Sequence, residues 1–292
     1  MLQQEFDTLV SATGDFSRRD FVRKTVGSGF AAAVLPVAAQ TVIQTPSEGL
    51  LTGEVMIPVG GFQMPAFRAA PAGKTGLPVV LVISEIFGVH EHIADIARRF
   101  ARAGYYAIAP ELFVRQGDAG SYGEIGKLIA EVVSKVPDAQ VMTDLDATLA
   151  WAQGQGADTS KTGITGFCWG GRITWLYAAH NPAVKAGVAW YGRLMGGANA
   201  LQPSNPVDVV GRLAGPVLGL YGGQDSGIPL DTVEKMKLAL SAGSLAAKRS
   251  EFVVYPDAPH AFNADYRPSY RKAAADDGWK RALAWFKTHG VA

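Results

Sequence analysis

The chain has 292 residues, 48% of them hydrophobic and 18% charged, with a net charge of +1. That length buries a sizeable core, as one large α/β domain or two small ones, and with no long basic run nucleic-acid binding has no electrostatic support. The single cysteine excludes an internal disulfide, no Cys/His cluster has zinc spacing, and no apolar run in the body of the chain reaches membrane-spanning length.

Residues 1–16 are polar and mixed in charge. Ser17-Arg18-Arg19-Asp20-Phe21-Val22-Arg23-Lys24 then precedes a Gly/Ala-rich apolar run from Thr25 to Ala39. This has the form of a twin-arginine export signal, with small residues at Val37-Ala38-Ala39 for cleavage. The expected organisation is an export segment over 1–39, a linker over 40–50 and a single domain over 51–292. The expected partner is the twin-arginine (Tat) export machinery, and the expected location is the periplasm or another exported compartment. An ordinary amphipathic N-terminal helix on a cytoplasmic protein is the alternative.

From Thr52 the pattern is one of strands. Glu54–Val59 and Gln63–Ala69 flank Gly60-Gly61 as a hairpin. Pro78–Ser84 is a continuous β-branched run, as in a strand buried on both faces. Ile93, Ile96, Ala97, Phe100 and Ala101 then share one helical face that closes at Gly104. Tyr105–Ala109 reads as a strand, Tyr122–Lys135 and Ala139–Gln153 as helices, and Lys161–Gly166 as the next buried strand. Val184–Trp190, Pro216–Tyr221 and Ser250–Tyr255 are further strands, with helices over Asp231–Leu240 and Tyr270–His289. Such alternation predicts a mostly parallel sheet covered by helices on both faces, with ligands beyond the carboxyl ends of its strands.

Gly166-Phe167-Cys168-Trp169-Gly170-Gly171 ends one of these strands and opens a helix-like run. This is the strand–turn–helix pattern of a nucleophile elbow, with cysteine in the usual place of serine. The glycines suit a turn too crowded for a Cβ, and the helix start favours negative charge at the sulfur. A buried cysteine in a tight turn is the plainer reading. Asp225 and His260 each follow a predicted strand, and the order Cys168, Asp225, His260 is that of nucleophile, acid and base in the α/β-hydrolase fold. Taken singly, a loop aspartate is usually a turn former and a lone histidine an ordinary polar residue. Glu85 follows the first buried strand, where a negative charge opposes an oxyanion. It makes sense there if it holds or takes the thiol proton; otherwise it is a loop or capping glutamate.

Glu85-Ile86-Phe87-Gly88, the stretch Ala109 to Gln116 (Ala-Pro-Glu-Leu-Phe-Val-Arg-Gln), the cysteine elbow, Gly222-Gly223-Gln224-Asp225 and His260-Ala261-Phe262 together resemble the dienelactone hydrolase (carboxymethylenebutenolidase) family. The resemblance spans roughly Thr52 to His289. It implies a single-domain α/β-hydrolase that opens a small lactone with a Cys/Asp/His triad and neither cofactor nor metal. By motif, Cys168 is the nucleophile, His260 the base and Asp225 its orienting acid. Glu85 pairs with the resting thiol and later accepts its proton, and the backbone N–H groups of Ile86 and Trp169 form the oxyanion hole. Of the two arginines with which the family grips a substrate carboxylate, one matches Arg115. The second position holds Ala264, and Arg267 is the nearby substitute. Carboxylesterase or thioesterase activity of different acyl preference is the alternative within enzymes, and a non-catalytic thiol sensor or binder the alternative outside them. Replacing Arg18 and Arg19 by lysine is expected to leave the full-length protein in the cytoplasm, checked by fractionation and immunoblotting; unimpaired export refutes the twin-arginine reading.

Overall fold

A computed structural model describes residues 43–292, so the expected export segment, with Arg18 and Arg19, lies outside the described residues. Eight strands form one sheet in the order β1-β2-β4-β3-β5-β6-β7-β8. β1 (Leu50–Val59) and β2 (Phe62–Pro71) are the predicted hairpin, and β2 continues antiparallel onto β4 (Tyr106–Pro110). All other pairings, through β3 (Pro78–Ile83), β5 (Asp158–Phe167), β6 (Val184–Trp190), β7 (Val217–Gly222) and β8 (Glu251–Tyr255), are parallel. The β-branched run in β3 is buried from Val79 to Ile83 because it lies inside the sheet with helices above and below.

Among the described residues six helices cover the sheet: α1 (Glu91–Arg102), α2 (Ile125–Glu131), α3 (Asp138–Gly154), α4 (Trp169–His180), α5 (Leu230–Ala242) and α6 (Lys272–Thr288). The two faces can be read from β5, where Gly163 faces Phe286 of α6 and Gly166 faces Gly170 and Thr174 of α4. Phe100 of α1 packs on Trp279 and Phe286 of α6, so those helices share a side. Arg172 of α4 forks onto Asp138 of α3 at 2.8 and 2.7 Å, joining the other pair. No described helix is long and apolar enough to cross a membrane.

Two expectations change. The helix expected over 122–135 is broken into α2 and short 3₁₀ turns at Ala119–Ser121 and Val133–Lys135. Asp118 captures the Gly120 N–H at 3.1 Å, an Asx turn that competes with helix, and Val132 departs from helical φ at −118°. The expected linker over 40–50 is tied to the body from Ile43 onward. The Ile43 N–H donates to Asp265 at 3.1 Å, the Thr45 N–H to Asp95 at 2.5 Å, and Arg102 reaches the Pro46 carbonyl at 3.0 Å.

The chain leaves β3 for β4 on one side and returns to β5 on the other. Loops following β3 and β5 therefore diverge, opening the crevice in which this class of sheet places ligands. At that point backbone meets backbone. A Cβ on Gly166 would lie 2.1 Å from the Gly170 carbonyl oxygen, and one on Gly170 would lie 2.4 Å from that of Ile83. Gly170→Ala is expected to cost about 3 kcal/mol of stability through forced backbone shifts. Gly154→Ala, with nothing within 4 Å of the new Cβ, should be neutral or stabilising by up to about 1 kcal/mol. Urea unfolding of both variants checks this, and equal midpoints would refute it.

Candidate active site

Cys168 stands between β5 and α4 with φ +54° and ψ −113°, a backbone that side chains rarely adopt. Its N–H donates to the Trp190 carbonyl at 3.0 Å, fixing the turn against the end of β6. α4 begins at Trp169, directly after Cys168, so the N–H groups of Trp169 and Gly170 have no intrahelical acceptor. Gly170 packs on the Ile83 and Ser84 carbonyls, which sets the helix start against the loop carrying Ile86. Neither the Ile86 N–H nor the Trp169 N–H is taken up by an acceptor among the described residues.

Asp225 and His260 meet because the loops after β7 and β8 are packed without room for side chains. A Cβ on Gly222 would lie 2.3 Å from the Ala258 carbonyl oxygen. Asp225 Oδ2 is 2.7 Å from His260 Nδ1, while its Oδ1 accepts the N–H groups of Gly227 and Ile228 at 3.0 and 3.2 Å. The carboxylate is thus buried, satisfied and aimed. The Cys168 sulfur acts electrostatically on the His260 imidazole. Burial disfavours the imidazolium, but the sulfur and Asp225 outweigh it and carry His260 well above the ordinary histidine range. The structure therefore joins His260 to Asp225 by a 2.7 Å hydrogen bond and sets Cys168 within electrostatic reach of the imidazole.

Glu85 is buried beside them with different partners from those expected. Its Oε2 is 3.1 Å from His90 Nε2, and its Oε1 accepts the Tyr266 hydroxyl at 3.3 Å. The reason is competition: a thiol is a weak donor, whereas an imidazole N–H and a phenol are stronger ones. Burial pushes the Glu85 carboxyl up, yet His90, by charge and hydrogen bond, with help from His92, brings it down to about 2. His90 stacks on His92, whose Nδ1 lies 3.0 Å from Asp265, itself bound to Arg99 at 2.9 Å. The 85–90 loop is also held by Glu111, which accepts the Val89 N–H at 2.9 Å. His90 and Tyr266 are site residues that sequence spacing does not reveal; the only hint is that His90 shares the loop of Glu85.

The arginines divide differently from expectation. Arg115 is not joined to the cluster: its Nη1 and Nη2 donate to Asp144 at 2.6 and 2.9 Å, and its guanidinium lies 4.5 Å from the Phe62 ring centroid. It lines a separate cleft with Val59, Gly60 and Thr143. Asp144 is buried, and a fork already engaged on a buried carboxylate does not release it cheaply. Arg267 is brought in. The Arg267 N–H closes a turn on the carbonyl of the buried Ala264 at 3.0 Å, and the guanidinium sits over the rings of Phe87 and Tyr266 at 4.7 and 5.1 Å. Although burial works against its charge, Tyr266, Glu85 and Cys168 together keep that charge in place. No group of three or more His, Cys, Asp or Glu among the described residues is arranged to hold a metal ion.

A mostly parallel sheet with a cysteine elbow after β5, an acid after β7 and a histidine after β8 is that of an α/β-hydrolase. Residues 64–290 match the dienelactone hydrolase family, and the chain belongs to that family of hydrolases. It is 60% identical over 284 residues to a "Putative carboxymethylenebutenolidase" of Methylorubrum extorquens, covering 97% of each chain. A protein of the same description from Escherichia coli K12 is 55% identical over 267 residues, covering 91% of this chain and 97% of that one. The crystal structure of a "Putative Dienelactone Hydrolase" from Klebsiella pneumoniae superposes with a TM-score of 0.79 at 56% identity, over 82% of this chain and 98% of that one. An acylaminoacyl peptidase of Pyrococcus horikoshii shares the fold at 15% identity with a TM-score of 0.62, over 83% of this chain and 42% of that one.

The His90–Glu85 pair sets a pH signature. A carboxyl held at about 2 instead of its ordinary 4.5 contributes stability above the ordinary value that is lost as pH falls towards 2. His90→Leu is expected to cost roughly 3 kcal/mol at pH 7 by leaving a buried charge unpaired, a loss that shrinks once acid protonates Glu85. Urea unfolding at pH 7 and pH 4 checks this, and a cost independent of pH contradicts it.

Proposed function

We propose that the protein is a cysteine-dependent hydrolase of small lactones or esters that carry a carboxylate, with dienelactone-type ring opening as the reference reaction. The observation that carries this reading is a His260 hydrogen-bonded to Asp225 and under the electrostatic influence of Cys168, which sits at a strained elbow. The names of the relatives above support the same substrate class.

In the proposed reaction His260 takes the thiol proton and the Cys168 sulfur attacks the acyl carbon. The N–H groups of Ile86 and Trp169 stabilise the oxyanion. The carbon–oxygen bond breaks with its electron pair on oxygen, that oxygen takes the proton from the His260 imidazolium, and a thioester remains. His260 then activates water to hydrolyse the thioester. Asp225 keeps the imidazole in the tautomer that presents Nε2 to the sulfur. Glu85, held as an anion by His90, opposes a second negative charge nearby, so a substrate carboxylate needs a cation on its own side. Arg267 supplies one, with the fork geometry a carboxylate prefers.

Ala264, where the family has an arginine, supports a second reading, that of a carboxylesterase or thioesterase of different acyl preference. For location we propose export through the twin-arginine machinery to the periplasm. Hydrolysis of dienelactone and of p-nitrophenyl acetate by the purified protein tests the function. Cys168→Ala should abolish turnover of both, and undiminished activity in that variant refutes the mechanism. Arg267→Ala should raise KM about tenfold for the acidic substrate and leave that of the neutral ester within about twofold. If neither KM moves, Arg267 is not the carboxylate's partner.

A further inference from the structure

Among the described residues three that are not glycine have positive φ: Cys168 at 54°, Tyr191 at 39° and Ala261 at 58°. Cys168 is the proposed nucleophile, and Ala261 directly follows the proposed base. Tyr191 has the same kind of strained backbone, costly for a bulky side chain, and no part in the mechanism above.

Its surroundings say what the strain achieves. The Tyr191 N–H is fixed on the Leu220 carbonyl at 2.8 Å, and a Cβ on the next residue, Gly192, would lie 2.3 Å from the Gly171 carbonyl carbon. The chain is thus pinned on both sides, and the left-handed turn sends the Tyr191 ring edge-on to the His260 imidazole, centroids 5.1 Å apart. Phe262 closes the other side at 5.2 Å. The side chain is fully buried, yet its hydroxyl has no hydrogen-bond partner among the described residues. Buried tyrosine hydroxyls usually find one, so a donor is held here for something the folded chain does not itself supply.

The phenol remains a donor throughout the working pH range. Burial raises its pKa well above the ordinary value, the electrostatic influence of Glu85, Tyr266 and Cys168 raises it further, and Arg267 only partly opposes them. The same four groups place the hydroxyl in the field of the reacting atoms. The other polar demands of an ester are already met in the proposed reaction. The carbonyl oxygen faces the Ile86 and Trp169 N–H groups, and a carboxylate faces Arg267. The oxygen that departs must leave on the side of His260, which supplies its proton, and that is the side on which Tyr191 stands.

We propose that Tyr191 is a substrate-contacting residue whose hydroxyl donates a hydrogen bond to the leaving oxygen as the Cys168 thioester forms. The inference rests on the cysteine-hydrolase reading above. The sulfur–carbon bond forms, the carbon–oxygen bond breaks with its electron pair on oxygen, and that oxygen takes its proton from the His260 imidazolium. Tyr191 keeps its own proton and shares it only as a hydrogen bond.

The test is Tyr191→Phe against a series of substituted phenyl acetates, which share one acyl group and differ in leaving-group basicity, read as kcat/KM. Donation to the leaving oxygen predicts a loss of roughly 100-fold for phenyl acetate that narrows to within about threefold for p-nitrophenyl acetate, since a weakly basic leaving oxygen needs little help. The variant should melt at or above the wild-type temperature, because it removes a buried hydroxyl without a protein partner. A loss equal across the series, no loss at all, or a melting temperature lowered by several degrees overturns the proposal. A wild type inert to the whole series, or equally active as Cys168→Ala, overturns the hydrolase reading and the role of Tyr191 with it.

Discussion

The structure depends on backbone packed directly on backbone around Cys168. Gly166 lies under Gly170, Gly170 rests on the end of β3, and Gly171 meets the Trp190 carbonyl and Gly192 beyond β6. These approaches lock four segments together at the carboxyl edge of the sheet: the loop after β3, the elbow, the start of α4 and the turn after β6. A single Cβ at any of the three positions would push them apart. The left-handed backbone at Cys168 is tolerated because this packing over-determines it, and the sulfur is thereby held at the mouth of the crevice.

Charge is arranged around that point in alternation. Asp225 is hydrogen-bonded to His260, and Asp225 and the sulfur together raise the imidazole's affinity for a proton. On the other side Glu85 is balanced by His90, with Tyr266 on its second oxygen and Arg267 over the Tyr266 ring. The carboxylates of Asp225 and Glu85 each have a histidine as a hydrogen-bond partner, which offsets the cost of burying them. A substrate anion entering here meets Arg267 as well as the fixed negative charge of Glu85. Selectivity in the proposed reaction comes from that balance, not from any single cation.

Much of this was legible in the sequence, for physical reasons that can be named. The buried strands announced themselves as β-branched runs, and Val184–Trp190 agrees with β6 at both ends because its flanks, Asn181-Pro182 and Gly192, cannot extend it. The elbow was legible because only glycine fits where no Cβ does. The partners of long polar side chains were not legible. Arg115 sits in a recognisable motif, but the Asp144 that engages it comes from α3, a partner no local pattern encodes. Arg267 was reachable only as a neighbour of Ala264, until the turn between them showed where the guanidinium goes. The loop that carries Glu85 is legible, but its hydrogen bonds to His90 and Tyr266 are not, since they depend on how that loop folds.

The account's central claim is that Cys168 carries the acyl group. The most direct measurement is intact-protein mass spectrometry after rapid acid quench of the protein with p-nitrophenyl acetate, followed by peptide mapping. The chain contains one cysteine, so a thioester has a single address. The account predicts one acetyl adduct per chain on the peptide carrying Cys168, forming within the first turnover, decaying as substrate is exhausted and absent from Cys168→Ala. Steady turnover with no adduct on that peptide, or an adduct on another residue that tracks turnover, would contradict it.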